Sequence, residues 1–140
     1  MSRIFFDSNL FVYMLEKSPF SSAARALRLR MLERGDQLIT STFTLGEILV
    51  RPMSLGRVDI VEHYQRLFRS ARFNVVAFDF ECGPIYGRIR QDRSIKPADA
   101  IQLACAARAQ CDLFVTNDDR LSRKVIPGIH FIVPLDRVYL

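Results

Sequence analysis

Histidine and cysteine are both scarce in this chain. His63 and His130 are its two histidines, and Cys82, Cys105 and Cys111 its three cysteines, with no CxxC spacing among them. A zinc site built on imidazole and thiolate therefore lacks both ligand number and spacing. An odd, small cysteine count suits a reducing compartment rather than a disulfide framework. Cys105 falls within an apolar helical pattern and reads as a plain buried thiol. There is no segment both apolar and long enough to span a bilayer. The N-terminal IFFDSNLFVYML has the hydrophobicity of a signal core, but Asp7 interrupts it and no small-residue cleavage site follows. These absences point to a cytoplasmic protein with no membrane attachment. Internal repeats, low-complexity tracts and linkers are also missing.

What is present fits one compact domain over residues 1–140, long enough to bury a core and too short for two ordinary ones. A hydrophobic fraction of 49% beside 25% charged residues is that of a globular chain. The net charge of +5 is made almost wholly by arginine, because the lysines number only three, Lys17, Lys96 and Lys124. Arginine's planar fork matches phosphate oxygens, although arginine also serves as ordinary surface charge, so composition alone supports nucleic acid only weakly.

Residues 3–6 read as a short buried strand that hands over to a helix at 9–16, opened by the polar cluster Asp7, Ser8, Asn9. Apolar residues at Ala24, Leu27, Met31 and Leu32 predict a helix over 21–34, closed by Gly35. A strand at 37–41 follows, then a helix at 42–50 expected to stop before Pro52. A further helix spans 59–71, with Ile60, Tyr64, Leu67 and Phe68 on one face. Beyond it lie a strand at 73–77, a helix at 81–91 and a helix at 97–109 opened by Pro97. Strands at 113–116 and 130–133 complete the pattern. This alternation predicts an α/β three-layer sandwich, with a mostly parallel sheet between helical layers.

In open parallel sheets, sites form outside the carboxyl ends of the strands. Asp7 ends the first strand, Asp118 ends a later one, Glu47 lies in the helix after the second, and Asp99 lies in the first turn after Pro97. Each also has a local explanation. Asp7 can cap the following helix, and Thr44 with Glu47 has T-x-x-E capping-box spacing. Asp99 complements a helix dipole, and Asp118 with Asp119 fits an Asx-type turn. Taken together, four carboxylates on one rim repel one another and call for a cation. Oxygen donors without histidine or thiolate favour Mg²⁺ or Mn²⁺. Such an ion suits phosphodiester hydrolysis.

The motifs FFDSNLFVY, TLGEILVRP, IKPADAIQLACAA and FVTNDDRL, in that order along nearly the whole chain, resemble the acidic motifs of PIN-domain ribonucleases, and most closely VapC-type toxins of toxin–antitoxin pairs. The resemblance implies that Asp7, Glu47, Asp99 and Asp118 are metal-binding, catalytic acids, and that Thr116 and Asn117 help shape the site. Ser8, which can bond a carboxylate or water, and Asp119, expected to face outward, are secondary candidates. Asp92 is another, although it matches no motif.

The resemblance further implies an RNA substrate cut to a 5′-phosphate and a 3′-hydroxyl, a cognate antitoxin and a homodimer. Arg51, Arg120 and Arg123, close in sequence to the acids, are candidate phosphate contacts. The helices at 21–34 and 59–71 are candidate walls of an apolar groove for an amphipathic antitoxin segment. A haloacid-dehalogenase-type phosphotransferase would want a second Asp where Asn9 stands, and a receiver domain finds no matching late lysine. The stronger alternative is a PIN-like module that binds RNA or protein without cleaving it.

Overall fold

Arg3–Phe6 (β1) buries side chains on both of its pleats: Ile4 and Phe6 enter one core and Phe5 the other. A strand apolar on both faces can only be satisfied between two layers. The computed structural model describes all 140 residues and places β1 at the centre of a five-stranded sheet. The other strands are Gln37–Ser41 (β2), Asn74–Val76 (β3), Leu113–Thr116 (β4) and Phe131–Pro134 (β5), in the order β3-β2-β1-β4-β5. Every neighbouring pair is parallel, and Ile4 stands opposite Leu38 on one side and Leu113 on the other.

Six α-helices cover the sheet: Ser8–Leu15 (α1), Ser21–Arg34 (α2), Thr42–Ser54 (α3), Val58–Arg69 (α4), Cys82–Ile89 (α5) and Pro97–Arg108 (α6). Helices α1 to α4 pack with Ile4, Phe6, Leu38 and Val115. Helices α5 and α6 pack on the opposite face, with Phe5, Ile39, Phe114 and Ile132. There the Phe5 and Phe114 rings lie stacked, centroids 5.1 Å apart. The division follows from right-handed crossovers: the chain runs outward from β1 to β3 with helices on one face, then returns past β1 to β4 and must cross on the other. The sheet order thus reverses beside β1, and the carboxyl ends of β1 and β4 border the crevice where α/β folds bind ligands.

Helix α2 has the bounds its periodicity predicts. Gly35 closes it at φ 74°, a left-handed conformation suited to glycine, while the Asp36 amide reaches back to the Met31 carbonyl. Helix α3 departs from expectation by running through Pro52 to Ser54. Only the last turn lies beyond the proline, so one ladder bond is lost, and Pro52 is buried. The short helix α5, whose start Gly83 and Pro84 obscure in sequence, begins at Cys82. No helix is long and apolar enough to cross a membrane.

Candidate active site

Asp7 follows β1 directly, and its amide still donates to the Val115 carbonyl at 3.0 Å, so the sheet ladder holds it in place. Its carboxylate accepts from the Ser8 amide at 2.8 Å and from Thr116 Oγ1 at 2.8 Å. Asp7 does cap α1, as its local explanation required, but Oδ2 also faces the end of β4. It is 8% exposed. Burial is the largest cause pushing its pKa up to about 6; the Thr116 and Ser8 hydrogen bonds oppose that rise, while Asp99 and Glu47 add to it.

Glu47 lies in α3, one turn past the helix start. The capping-box explanation of Thr44 and Glu47 fails, because Ser41 is the cap: its hydroxyl accepts from the Thr44 amide at 3.1 Å. Thr44 itself is buried inside the first turn, and Glu47 is left free of any capping duty. Instead Glu47 Oε1 accepts from the Ser8 hydroxyl at 2.6 Å, across from α1. Ser8 thus bonds a carboxylate.

Asp99 sits in the first turn of α6, two residues after Pro97. Its pKa is raised by burial first and by Asp118 second, with Arg120 and Lys96 opposing the rise. Asp118 follows β4, its amide donating to Thr116 Oγ1 at 3.1 Å. The Asx-type turn is present, since Asp118 Oδ1 accepts from the Arg120 amide at 3.0 Å. Arg120 also grips the same carboxylate with Nε at 3.1 Å and Nη2 at 2.8 Å, and this lowers the Asp118 pKa.

Arg120 is therefore engaged with an acid rather than free on the rim. Arg51 and Arg123 are exposed, Arg51 standing one turn beyond Glu47 on α3. Asp119 is exposed beside the site, as an adjacent residue facing the other way should be. Asn117 turns aside, donating to the Tyr13 hydroxyl at 3.2 Å. Asp92 belongs elsewhere, paired with Lys124 at 2.8 Å.

The four acids are linked electrostatically, Asp7 to Glu47 and Asp99, and Asp99 to Asp118. As the side chains stand, no three of them are close enough to grip one ion together. The Asp118 carboxylate is folded back onto its own turn by Arg120, and that of Glu47 is held by Ser8. In donor chemistry the set nevertheless fits a hard divalent cation: carboxylate oxygens backed by the Ser8 and Thr116 hydroxyls. The buried Asp7 has hydrogen-bond donors but no basic side chain bonded to it. Neither sulfur nor imidazole enters, for all three cysteines are buried in the core behind α5 and α6 and His130 pairs with Asp112.

Sequence reasoning missed Gln102. This α6 residue is 2% exposed, and its amide bonds with Ser41, Thr44, Ser8 and Glu47. A signal was available: Gln102 is the one polar side chain in Ala100–Ala107 and stands three residues after Asp99, on the same helix face.

Comparison with known proteins agrees with this fold. The family model of the PIN domain matches residues 4–126. The chain belongs to the PIN-domain family. Solved structures of similar fold include VapBC2 from Rickettsia felis bound to a DNA fragment from its promoter, with TM-score 0.74, 19% identity, and 94% of this chain and 98% of that chain covered. FitAB bound to an IR36 DNA fragment matches with TM-score 0.71 and 18% identity over 98% of both chains. VapBC-5 from Mycobacterium tuberculosis, a member of the VapBC family of toxin–antitoxin systems, matches with TM-score 0.60 and 16% identity over 96% of this chain and 99% of that one. At these identities the likeness is one of fold. No curated protein sequence matches significantly.

Proposed function

We propose that this chain is a Mg²⁺- or Mn²⁺-dependent endoribonuclease, the toxin of a toxin–antitoxin pair, acting through Asp7, Glu47, Asp99 and Asp118 as one domain. The observation that supports this is the electrostatic linkage of the four acids around the point where the sheet order reverses, with the Asp7 carboxylate buried and no basic side chain bonded to it.

These four side chains would hold the ion, which when bound would polarise a phosphate oxygen and favour attack by water on phosphorus. The chain's own part is positional. Thr116 and the Ser8 amide fix Asp7, and the Ser8 hydroxyl fixes Glu47. An acid of this group would accept the proton lost by the attacking water. The bond to the leaving 3′ oxygen breaks as that oxygen gains a proton, leaving a 5′-phosphate and a 3′-hydroxyl. Arg51 and Arg123, both exposed, would neutralise the RNA backbone, and Arg120 would join them on leaving Asp118.

An antitoxin site fits the cleft of about 390 Å³ formed by Met14, Leu15, Leu32, Leu67 and Phe73 with Arg28 and Arg72. Its walls come from the end of α1 as well as from α2 and α4, so the expected two-helix groove gains a third side. Apolar walls with two arginines suit an amphipathic helix bearing acids. Association of two copies belongs to the same proposal.

The Arg120 grip on Asp118 favours a second reading, a PIN-like module that binds RNA or protein without cutting. Incubation of purified protein with a cellular RNA pool in Mn²⁺ or Mg²⁺, beside EDTA and Asp99→Asn controls, separates the two. Fragments from wild type alone, lost in EDTA, support the nuclease. Intact RNA with a folded, Mn²⁺-indifferent protein supports the module.

A further inference from the structure

Helix α6 is buried along most of its length, and its neighbours Ala100, Leu103, Ala104, Cys105, Ala106 and Ala107 are all apolar core. A glutamine there costs desolvation of a whole amide unless every polar atom finds a partner. Gln102 finds them all. Nε2 donates one hydrogen to Thr44 Oγ1 at 2.6 Å, and the other points between Ser8 Oγ at 3.2 Å and Glu47 Oε1 at 3.5 Å. Oε1 accepts from the Ser41 hydroxyl.

Thr40 Oγ1 has the Phe6 carbonyl at 3.0 Å and Thr44 Oγ1 at 2.8 Å as acceptors, and Thr44 Oγ1 also accepts from the Gln102 amide at 2.6 Å. Ser41, accepting from the Thr44 amide, gives its hydrogen to Gln102 Oε1. Ser8 Oγ, approached by the Gln102 amide, has its only hydrogen left for Glu47 at 2.6 Å. Flipping the amide would aim Oε1 at the Glu47 carboxylate, placing two acceptors face to face. The orientation is thereby locked from the cap of α3 through α6 to α1.

We propose that Gln102 is a positioning residue: it directs the Ser8 hydroxyl, and through it holds the Glu47 carboxylate in one place on the rim, and so sets how tightly the acids bind a divalent cation. The part concerning cation affinity rests on the nuclease proposal; the positioning of Glu47 does not. An apolar core residue would satisfy packing alone, whereas this amide joins three helices at the rim. Groups standing behind metal ligands commonly change affinity by about 10- to 100-fold when removed.

The test uses Gln102→Met, which keeps length and volume without the amide, and Ser8→Ala, at a half-buried position where folding is safer. The first readout needs no metal: side-chain NMR couplings of Glu47 in the metal-free protein. Wild type should show one rotamer, and each variant an averaged one. The second is Mn²⁺ affinity by calorimetry, expected to fall at least tenfold in each variant. In the double variant the losses should not add, because both residues act along one chain of bonds. Cleavage should lose kcat while KM for RNA stays unchanged.

A single Glu47 rotamer surviving in both folded variants overturns the proposal, as does Mn²⁺ affinity within twofold of wild type. A lower Tm with neither readout changed would make Gln102 a structural residue only, which also overturns it. If wild type binds no Mn²⁺ yet Glu47 becomes averaged in the variants, the positioning role stands and the nuclease proposal falls.

Discussion

Thr116 Oγ1 donates to Asp7 Oδ2 at 2.8 Å, joining residues 109 positions apart at the ends of adjacent strands. The bond fixes the most buried acid of the site, but a hydroxyl neutralises no charge. Because the Asp7 pKa of about 6 lies above its ordinary 3.8, the folded protein holds this proton more tightly than the unfolded chain. Stability from this group is complete below pH 3.8 and is lost as pH rises to about 6, by about 3 kcal/mol in all. Metal-free protein should therefore show Tm falling over that window. Asp7→Asn should flatten the profile and raise Tm at pH 7. An equal slope in wild type and variant would refute the assignment.

Divalent cations should reverse the same loss. A cation that binds only the native state stabilises by mass action, about 2.7 kcal/mol at a hundredfold excess over Kd. Thermal scans at pH 7 should show Mn²⁺ raising the Tm of wild type and not that of Asp99→Asn. A common response would place the ion elsewhere.

Arg120 holds the Asp118 carboxyl below its usual range. Arg120→Ala should bring that pKa up toward the ordinary value, readable by carboxyl ¹³C NMR titration, while leaving α6 and β4 intact. The variant should also bind RNA less well at low salt, with a shallower salt dependence. An unmoved Asp118 titration would mean that the turn, and not the guanidinium, sets its pKa.

Ser41 both caps α3 and supplies the donor to Gln102. Ser41→Ala should destabilise the protein by about 1–3 kcal/mol, more than an exposed cap would, because a buried carbonyl oxygen loses its partner. Urea denaturation would measure it, and a change below 0.5 kcal/mol, about the size of a neutral surface substitution, would contradict the buried network.

Leu32 and Arg28 line the cleft proposed for the antitoxin. Leu32→Asp should abolish retention of a co-expressed antitoxin and leave nuclease activity intact, since Leu32 is an exposed residue of α2, outside the acid site. Arg28→Glu should weaken retention through charge. Full retention by both variants would move the partner to another face.

Much of the fold was legible because its signals are local. The period of Ala24, Leu27 and Met31 with the stop at Gly35 yields α2 to the residue, and Pro97 marks the start of α6. Strands β1, β2 and β4 were legible as short apolar runs, and the candidate acids by the family motifs. Pro52 misled because its cost depends on position, and near a helix end it removes one bond while its ring gains burial. Thr44 and Glu47 misled because T-x-x-E spacing says nothing of where the helix begins, which Ser41 decides.

By itself, then, the sequence determined the element order and the apolar faces, since each depends on neighbours a few positions away, and it supplied the residue types of the candidate site. Tertiary structure alone decided that β4 lies beside β1, that Ser8 reaches Glu47 and Thr116 reaches Asp7, and that Arg120 covers Asp118. It also decided that a buried glutamine ties three helices together. Those contacts depend on which strand ends the crossovers bring side by side, and no local period encodes that.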